Sequence, residues 1–355
     1  MTSQPAHPSS DREPHGSTAP TAPTAPTPAG RPAAALPPAE VARLAEAILA
    51  EVGTAVVGMQ AALRTALAAV LAGGHVLFED VPGLGKTLAA RSLATALGLD
   101  FRRVQCTPDL LPSDITGSSV WDPGEARFRF APGPVFTGLL LADEINRTAP
   151  KTQSALLEAM AERQVTADGT TYPLPAPFHV VATSNSVEYE GTYPLPEAQL
   201  DRFLVRLAVG HPDRDAETDV LLRRVARREE AAPVRRVVDA ATVLGMQAGV
   251  EAVQVDPDVA RYCVDLAAAT RAHRAVDVGA SPRGSQSLLL VSRALAVLSG
   301  RRFATPEDVK EVAVPALAHR LTLTPAAWAA GVAAEDVVRQ VLAEVAGPAT
   351  VPAAG

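Results

Sequence analysis

Cysteine is almost absent from this 355-residue chain, which has only Cys106 and Cys263. Neither sits in metal-like spacing, so the sequence argues against a disulfide scaffold or a structural zinc site, and the expected compartment is a reducing cytoplasm. Aromatic residues are also scarce, at 4% against a hydrophobic fraction of 47%, so any core must be built mainly from Ala, Val and Leu. No run approaches the roughly 18 uninterrupted apolar residues of a membrane span. The N-terminus carries Pro, Thr, Ser and charged residues where a signal peptide would need an apolar stretch. Positive charge is not in excess either. The formal net charge of −7 argues against a general electrostatic grip on nucleic acid, leaving room only for a local basic patch.

The chain is long enough for two domains and a large buried core. Residues 1–38 repeat Thr-Ala-Pro and hold almost no large apolar side chain. Such a segment cannot bury enough surface to offset its ordering entropy, and it reads as a disordered tail. From Glu40 the apolar spacing becomes helical in "VARLAEAILAEV" and "MQAALRTALAAVLAGG". Strand-like runs follow at "HVLFE", "FRRVQC", "GLLLAD" and "FHVVATSN", alternating with helical segments, the pattern of an α/β unit with a parallel sheet. Beyond His211 the strand signal fades. "PDVARYCVDLAAATRAHR", "SPRGSQSLLLVSRALAVLSG" and "TPEDVKEVAVPALAHRL" read as helices, the last two opened by Ser-Pro or Thr-Pro, and Pro315 is expected to kink or divide the last. The expected division is a tail over 1–38, a nucleotide-binding domain over 39–210, an all-helical domain over 211–346 and a short tail over 347–355.

"FEDVPGLGKT" links the first strand to a helix. This strand–turn–helix context, with Gly83, Gly85, Lys86 and Thr87, is that of a phosphate-binding loop. In such a loop the backbone N–H groups of Val81, Pro82, Gly83, Leu84, Gly85, Lys86, Thr87 and Leu88, proline excepted, surround phosphate together with the helix N-terminus. Lys86 would neutralise phosphate charge and Thr87 would offer its hydroxyl to Mg²⁺. Asp80 stands where the general pattern has its first glycine, so its carboxylate must point away from the nucleotide. "GLLLADEINR" then places Asp143 and Glu144 at the end of a second apolar strand, where α/β folds bind ligands. Asp143 can hold Mg²⁺ through water and Glu144 can orient the attacking water. These two strands are expected to be adjacent, each ending in half of an ATP site.

Several longer blocks resemble the MoxR family of AAA+ ATPases: "GGHVLFEDVPGLGKT", "CTPDLLPSDITG", "LLLADEINRTAPKTQSALLEAMAERQVT", "ATSNSVEYEGTYPLPEAQLDRF" and "GASPRGSQSL". The resemblance spans about residues 53–345. It implies an α/β P-loop AAA+ nucleotide-binding domain with a parallel sheet, a smaller all-helical lid, MgATP as ligand, and ATP hydrolysis. It makes Asp80 a family variant. Asn185 resembles the sensor-1 residue that places the attacking water. Arg202, in "LDRF", resembles the arginine finger that reaches a neighbouring subunit's γ-phosphate; the rival reading is an ion pair with Asp201 or another acid. Arg283, in "SPRGS", resembles the sensor-2 arginine of the lid. Its charge in the first helical turn opposes the helix dipole at a cost of about 0.3–1 kcal/mol, which a phosphate would offset; whether it serves its own subunit or a neighbour stays open here. Cys106 and Ser186 depart from the family's wording without touching phosphate chemistry.

The resemblance further implies a homo-oligomeric ring, with six subunits expected, and a chaperone-like remodeller acting on a separate client protein, often one with a von Willebrand factor A domain. The alternatives are the motor subunit of a metal chelatase and a nucleic-acid motor. Two family hairpins are expected, at "VWDPGEARFRF" and around Asp168-Gly169 in "QVTADGTTYPL". The alternation of Arg127 and Arg129 with Phe128 and Phe130 suits either a client-contacting strand or a half-buried hairpin.

Overall fold

The computed structural model describes residues 33–185, 192–229 and 232–348. Residues 1–32, Ser186 and the chain from 349 onward lie outside the described residues. In chain order, α1 (Pro38–Ala55) and α2 (Gln60–Leu71) lead to β1 (Val76–Glu79), and the phosphate-loop sequence leads into α3 (Lys86–Ala96). Next come β2 (Phe101–Gln105), the short α4 (Pro112–Thr116), a hairpin of β3 (Gly117–Asp122) and β4 (Arg127–Pro132), and β5 (Leu139–Asp143). After α5 (Pro150–Glu162), a second hairpin pairs β6 (Gln164–Ala167) with β7 (Thr170–Pro173); β8 (His179–Ser184), α6 (Glu197–Leu200) and β9 (Val205–Leu207) follow. The remainder is α7 (Arg214–Arg227), α8 (Ala240–Glu251), α9 (Pro257–Ala272), β10 (Val276–Val278), α10 (Pro282–Leu298), α11 (Pro306–Leu317), β11 (Thr322–Leu323), α12 (Pro325–Ala329) and α13 (Ala334–Glu344).

The main sheet is parallel, in the order β2-β5-β8-β1-β9. The expected adjacency of β1 and β5 is therefore corrected: β8 lies between them. Its six residues are all buried, so this strand needs a neighbour on both edges and a layer on both faces. Side-chain alternation sorts the sheet into two apolar layers. Val76, Phe78, Leu139, Leu141 and Val181 face one cluster with α1, α2 and α3. Leu77, Leu140, Ala142, Val180 and Ala182 face the other, against Leu156, Leu157 and Met160 of α5. The first cluster continues without a break into α8, α9, α10, α11 and α13, so the helical region shares one core with the sheet. Alanines such as Ala66, Ala68 and Ala69 let α2 approach its neighbours closely, which is how a chain poor in aromatics still closes its core.

The region after β9 is helical as expected, with one addition, the antiparallel ribbon of β10 and β11. Ser281 caps α10 by accepting from the Arg283 N–H, and Thr305 forms a capping box with Asp308 on α11. Pro315 lies inside α11, which ends two residues later in a 3₁₀ turn over Ala318–Arg320. Ordered structure begins ahead of residue 39. The Leu36 N–H donates to the Gly245 carbonyl, and a Cβ on Gly249 would stand 2.7 Å from the Leu36 carbonyl oxygen. Two glycines one helical turn apart make the trough in which this segment lies. Both hairpins form in the expected places.

Leu141 has no exposed surface in the centre of the sheet. Leu141→Ala is expected to cost about 2–5 kcal/mol, read as a lower thermal or urea midpoint with the far-UV spectrum retained.

Candidate nucleotide-binding site

Parallel strands bring their C-terminal ends to one edge, and the loop over residues 81–88 converges there with Asp143, Glu144 and Asn185. Gly83 and Gly85 have φ of +85° and +81°, and a Cβ on either would meet nothing within 4 Å. It is therefore the left-handed backbone, not crowding, that calls for glycine at both positions. Val81, Leu84 and Thr87 are partly covered, Pro82 and Leu88 are exposed, and Lys86 is buried in the first turn of α3. Its Nζ donates to the Asp80 carbonyl at 2.6 Å, and at 3.4 Å to the Ser184 carbonyl and Asn185 Oδ1. Among the described residues no carboxylate forms an ion pair with it. Burial pulls the Lys86 pKa down, against the more distant attraction of Asp80, Asp143, Glu144 and Glu79.

Asp80 explains why the loop tolerates an acid. Its carboxylate turns away from Lys86 and accepts from the backbone N–H groups of Val81 at 2.8 Å, Val209 at 2.8 Å and Gly210 at 2.6 Å. Burial disfavours its charge, but the N–H groups of Gly210, Val81 and Val209 outweigh that and hold the carboxyl below its ordinary value. The residue ties the start of the phosphate loop to the chain leaving β9.

From β5, the Asp143 carboxylate accepts from Thr87 Oγ1 at 3.1 Å and Thr183 Oγ1 at 2.5 Å. It also accepts from Arg103 Nε and Nη2 at 3.0 and 2.7 Å. Glu144 has φ 58° and ψ 50°, the left-handed region that a residue with a side chain enters only under constraint. Its N–H donates to Thr183 Oγ1 at 2.8 Å. Its carboxylate receives Gln105 Nε2 at 2.9 Å, Arg147 Nη1 at 3.1 Å and Asn185 Nδ2 at 3.4 Å. Thr183, Arg103, Gln105 and Arg147 were not singled out from sequence. The available signal was strand alternation, which puts Arg103 and Gln105 on the same face of β2. Cys106 is buried, and burial, with Asp143 and Glu144 nearby, pushes its thiol up to about 12, so it is unreactive at neutral pH.

The residues fit MgATP. A buried ammonium without a counter-ion among the described residues, beside open left-handed N–H groups, suits phosphate. The Thr87 hydroxyl and Asp143 carboxylate form a small all-oxygen donor set of the kind Mg²⁺ uses when phosphate and water complete its shell. Beside this edge a cleft of about 780 Å³ opens between α2, α11 and α13, lined by Thr65, Glu79, Arg206, Val314 and Glu335.

Arg202 and Arg283 lie elsewhere. Val205 is level with Val76, and the Leu204 N–H donates to the His75 carbonyl. Arg202 thus stands before the start of β9, and Asp80 lies four residues past Val76, about 13 Å further along the strand direction. The Arg202 Nη1 donates to the Leu157 carbonyl at 2.8 Å, and its buried Nε has no partner among the described residues. The rival ion pair with Asp201 does not form; Asp201 pairs with Arg320 instead. Arg283 is exposed at the start of α10, and its side chain has no hydrogen-bond or ion-pair partner among the described residues. That helix is docked at Asp201, whose Oδ2 accepts from Ser281 Oγ at 3.0 Å.

Comparison with known proteins gives the class first. Residues 75–205 match the ATPase family associated with various cellular activities, AAA, and residues 268–341 match the AAA lid domain. The chain belongs to the MoxR family of AAA+ ATPases. It is 41% identical to the chaperone MoxR1 of Mycobacterium tuberculosis (strain ATCC 25618 / H37Rv), over 87% of this chain and 84% of that one. It is 48% identical to the uncharacterised Bacillus subtilis (strain 168) protein YeaC, over 79% of this chain and 88% of the relative. A 2.00 Å crystal structure of a Cytophaga hutchinsonii ATCC 33406 protein proposed to be an ATPase is similar to it with a TM-score of 0.81 and 39% identity, covering 88% of this chain and 97% of that one. Nucleotide binding is thus a property of its family. No helix among the described residues is long and apolar enough to cross a membrane.

Asp80→Ala is expected to lower the melting temperature by freeing residues 209–210. Because the folded pKa lies below 3.8, the carboxylate's contribution is complete above that pH and is lost as pH falls through the folded value. Melting curves across an acid series should show a constant gap between variant and wild type down to about pH 5, narrowing below 3.8. A gap that widens as pH falls would contradict the assignment.

Proposed function

We propose that this chain is a MgATP-hydrolysing ring motor that remodels partner proteins. The observation that carries the nucleotide reading is Lys86, an ammonium held by two carbonyls and an amide oxygen with no carboxylate partner among the described residues, beside a loop of open backbone donors. Lys86 and the loop N–H groups hold the phosphates, while Thr87 and Asp143 hold Mg²⁺, which supplies charge neutralisation when bound. Glu144 aligns the attacking water and Asn185, within reach of both Glu144 and Lys86, helps to place it. The proposed nucleotide domain covers 39–210 and the lid 211–346.

The register supports a shared site. Arg202 stands at the opposite end of the sheet from its own Lys86, and Arg283 starts the helix docked beside it at Asp201, so in this reading both serve the nucleotide of the adjoining subunit. A cation supplied there stabilises charge in the phosphoryl-transfer transition state. Closure of such head-to-tail contacts gives a ring, with six subunits in our proposal, operating in the cytoplasm. The M. tuberculosis relative's chaperone designation supports a client protein as the object of the work, with a von Willebrand factor A domain as the proposed client module. The β3–β4 hairpin offers a contact for it: Trp121 and Phe128, 50% and 69% exposed, pack edge-to-face near its tip. Its base is anchored by Phe130 stacked on Tyr172 of the second hairpin.

Lys86→Ala should abolish nucleotide binding, and Glu144→Gln should bind ATP without turnover; normal turnover by Glu144→Gln would remove it from the catalytic role. Specific ATPase activity should rise cooperatively with wild-type concentration and fall by about 10³-fold in Arg202→Ala. Activity independent of concentration and untouched by Arg202→Ala would leave an ATPase without a shared site.

A further inference from the structure

Arg320 belongs to the 3₁₀ turn after α11, and its side chain is 2% exposed. All five of its N–H donors are used. Nε donates to the Ala316 carbonyl at 2.7 Å. Nη1 donates to the Asp201 carboxylate and to the Asp201 carbonyl at 3.1 Å. Nη2 donates to the Phe203 carbonyl at 2.7 Å and to Ser287 Oγ at 2.8 Å. Its neighbour His319 adds Nε2 against the same Phe203 carbonyl at 3.2 Å. A guanidinium saturated in this way has nothing left for phosphate. What it grips is informative: the residues on either side of Arg202.

The same fork also reaches Arg283 by two short relays. Asp201 Oδ2 accepts from Ser281 Oγ, and that hydroxyl accepts from the Arg283 N–H at 3.1 Å. Ser287 Oγ, which accepts from Arg320, donates in turn to the Arg283 carbonyl at 2.9 Å. The backbone of Arg283 is therefore held at both its N–H and its C=O through one side chain each. Meanwhile the arginines so flanked are under-used: Arg202 leaves its Nε without a partner, and the Arg283 side chain is exposed. One guanidinium is fully committed to holding; among the described residues Arg202 spends only Nη1, on the Leu157 carbonyl, and the Arg283 side chain spends nothing.

We propose that Arg320 is a positioning residue that fixes Arg202 and Arg283 as one rigid pair, so that both are presented together to the adjoining subunit's phosphates. This rests on the shared-site reading above. Arg320 itself touches no nucleotide; it transmits lid position to the finger. A lysine cannot replace it, because an ammonium has three donors and no planar fork.

The test is subunit mixing with full-length protein. Arg320→Lys keeps the charge and leaves its own nucleotide site intact, so its ATPase kcat should fall about 100-fold while KM for ATP stays within about twofold. Glu144→Gln subunits have a dead site but an intact arginine pair. Mixed with them, Arg320→Lys should regain activity, as Arg202→Ala should. If Arg202→Ala is rescued by Glu144→Gln and Arg320→Lys is not, the positioning role is wrong and the shared site stands. If neither is rescued, the shared-site reading fails and takes the positioning role with it. An unchanged kcat in Arg320→Lys also overturns the proposal. Should that variant melt at the assay temperature, Ser287→Ala removes a single acceptor of the fork; a smaller kcat loss rescued by the same mixing supports the proposal, and wild-type kcat rejects it.

Discussion

A buried ammonium is stable only when something compensates its lost hydration, and the surroundings of Lys86 are organised around leaving that compensation incomplete. Carboxylates lie close by in sequence and space, yet each is diverted. Asp80 is taken up by three backbone N–H groups, Asp143 by Arg103, Thr87 and Thr183, and Glu144 by Gln105, Arg147 and Asn185. Had any of them closed on Nζ, the pair would have been self-neutralising and an incoming phosphate would have had to break it. The diversion of three acids preserves one unspent positive charge at the mouth of the loop.

Sheet polarity then imposes a second constraint. In a parallel sheet all loops that can hold nucleotide leave from one edge, and everything that enters a strand does so at the other. Residues just ahead of β9 cannot serve the edge where β9 ends. An arginine placed there is useful for phosphate chemistry only if a second copy of the fold brings its own nucleotide edge alongside. In the proposed ring, oligomerisation is thus a consequence of strand direction, not an accessory to it.

Much of this was legible in the sequence because the signals are local. Left-handed glycines, a lysine and a threonine at fixed spacing, an acidic pair ending an apolar run, and Ser-Pro or Thr-Pro helix starts need no knowledge of distant contacts. What stayed hidden depends on long-range pairing. Nothing in "HVLFE" and "GLLLAD" tells which strand comes between them, and the order reflects where β8 can be buried on both sides. Thr183 gave no signal because a threonine in a buried strand is ordinary until its hydroxyl is seen bridging Asp143 and the Glu144 N–H. Arg320 was concealed in the same way. In "LAHRL" it reads as a basic residue near a helix end, favourable for the dipole, whereas its partners Asp201 and Phe203 lie more than a hundred residues away. The ribbon of β10 and β11 joins segments too short to register as strands on their own.

The lid is consequently attached to β9 at two points, just ahead of its start and at its middle residue. At its start Arg320 and His319 hold Asp201 and Phe203; within it Arg206 bonds Glu79 at 2.8 Å and Glu335 of α13 at 2.5 Å. β9 has three residues, of which Val205 and Leu207 are buried and Arg206 points the other way. Slipping it by one residue along β1 would bury Arg206 and expose both apolar side chains, so the register is locked. A displacement of the loop that follows Glu79 can therefore pass along β9 only by carrying the strand bodily, together with the lid elements that hold Asp201, Phe203 and Arg206. Three residues in a fixed register separate the segment bearing Arg202 from the chain that Asp80 holds at Val209 and Gly210, so the two ends of β9 are tied by a short stretch of locked strand.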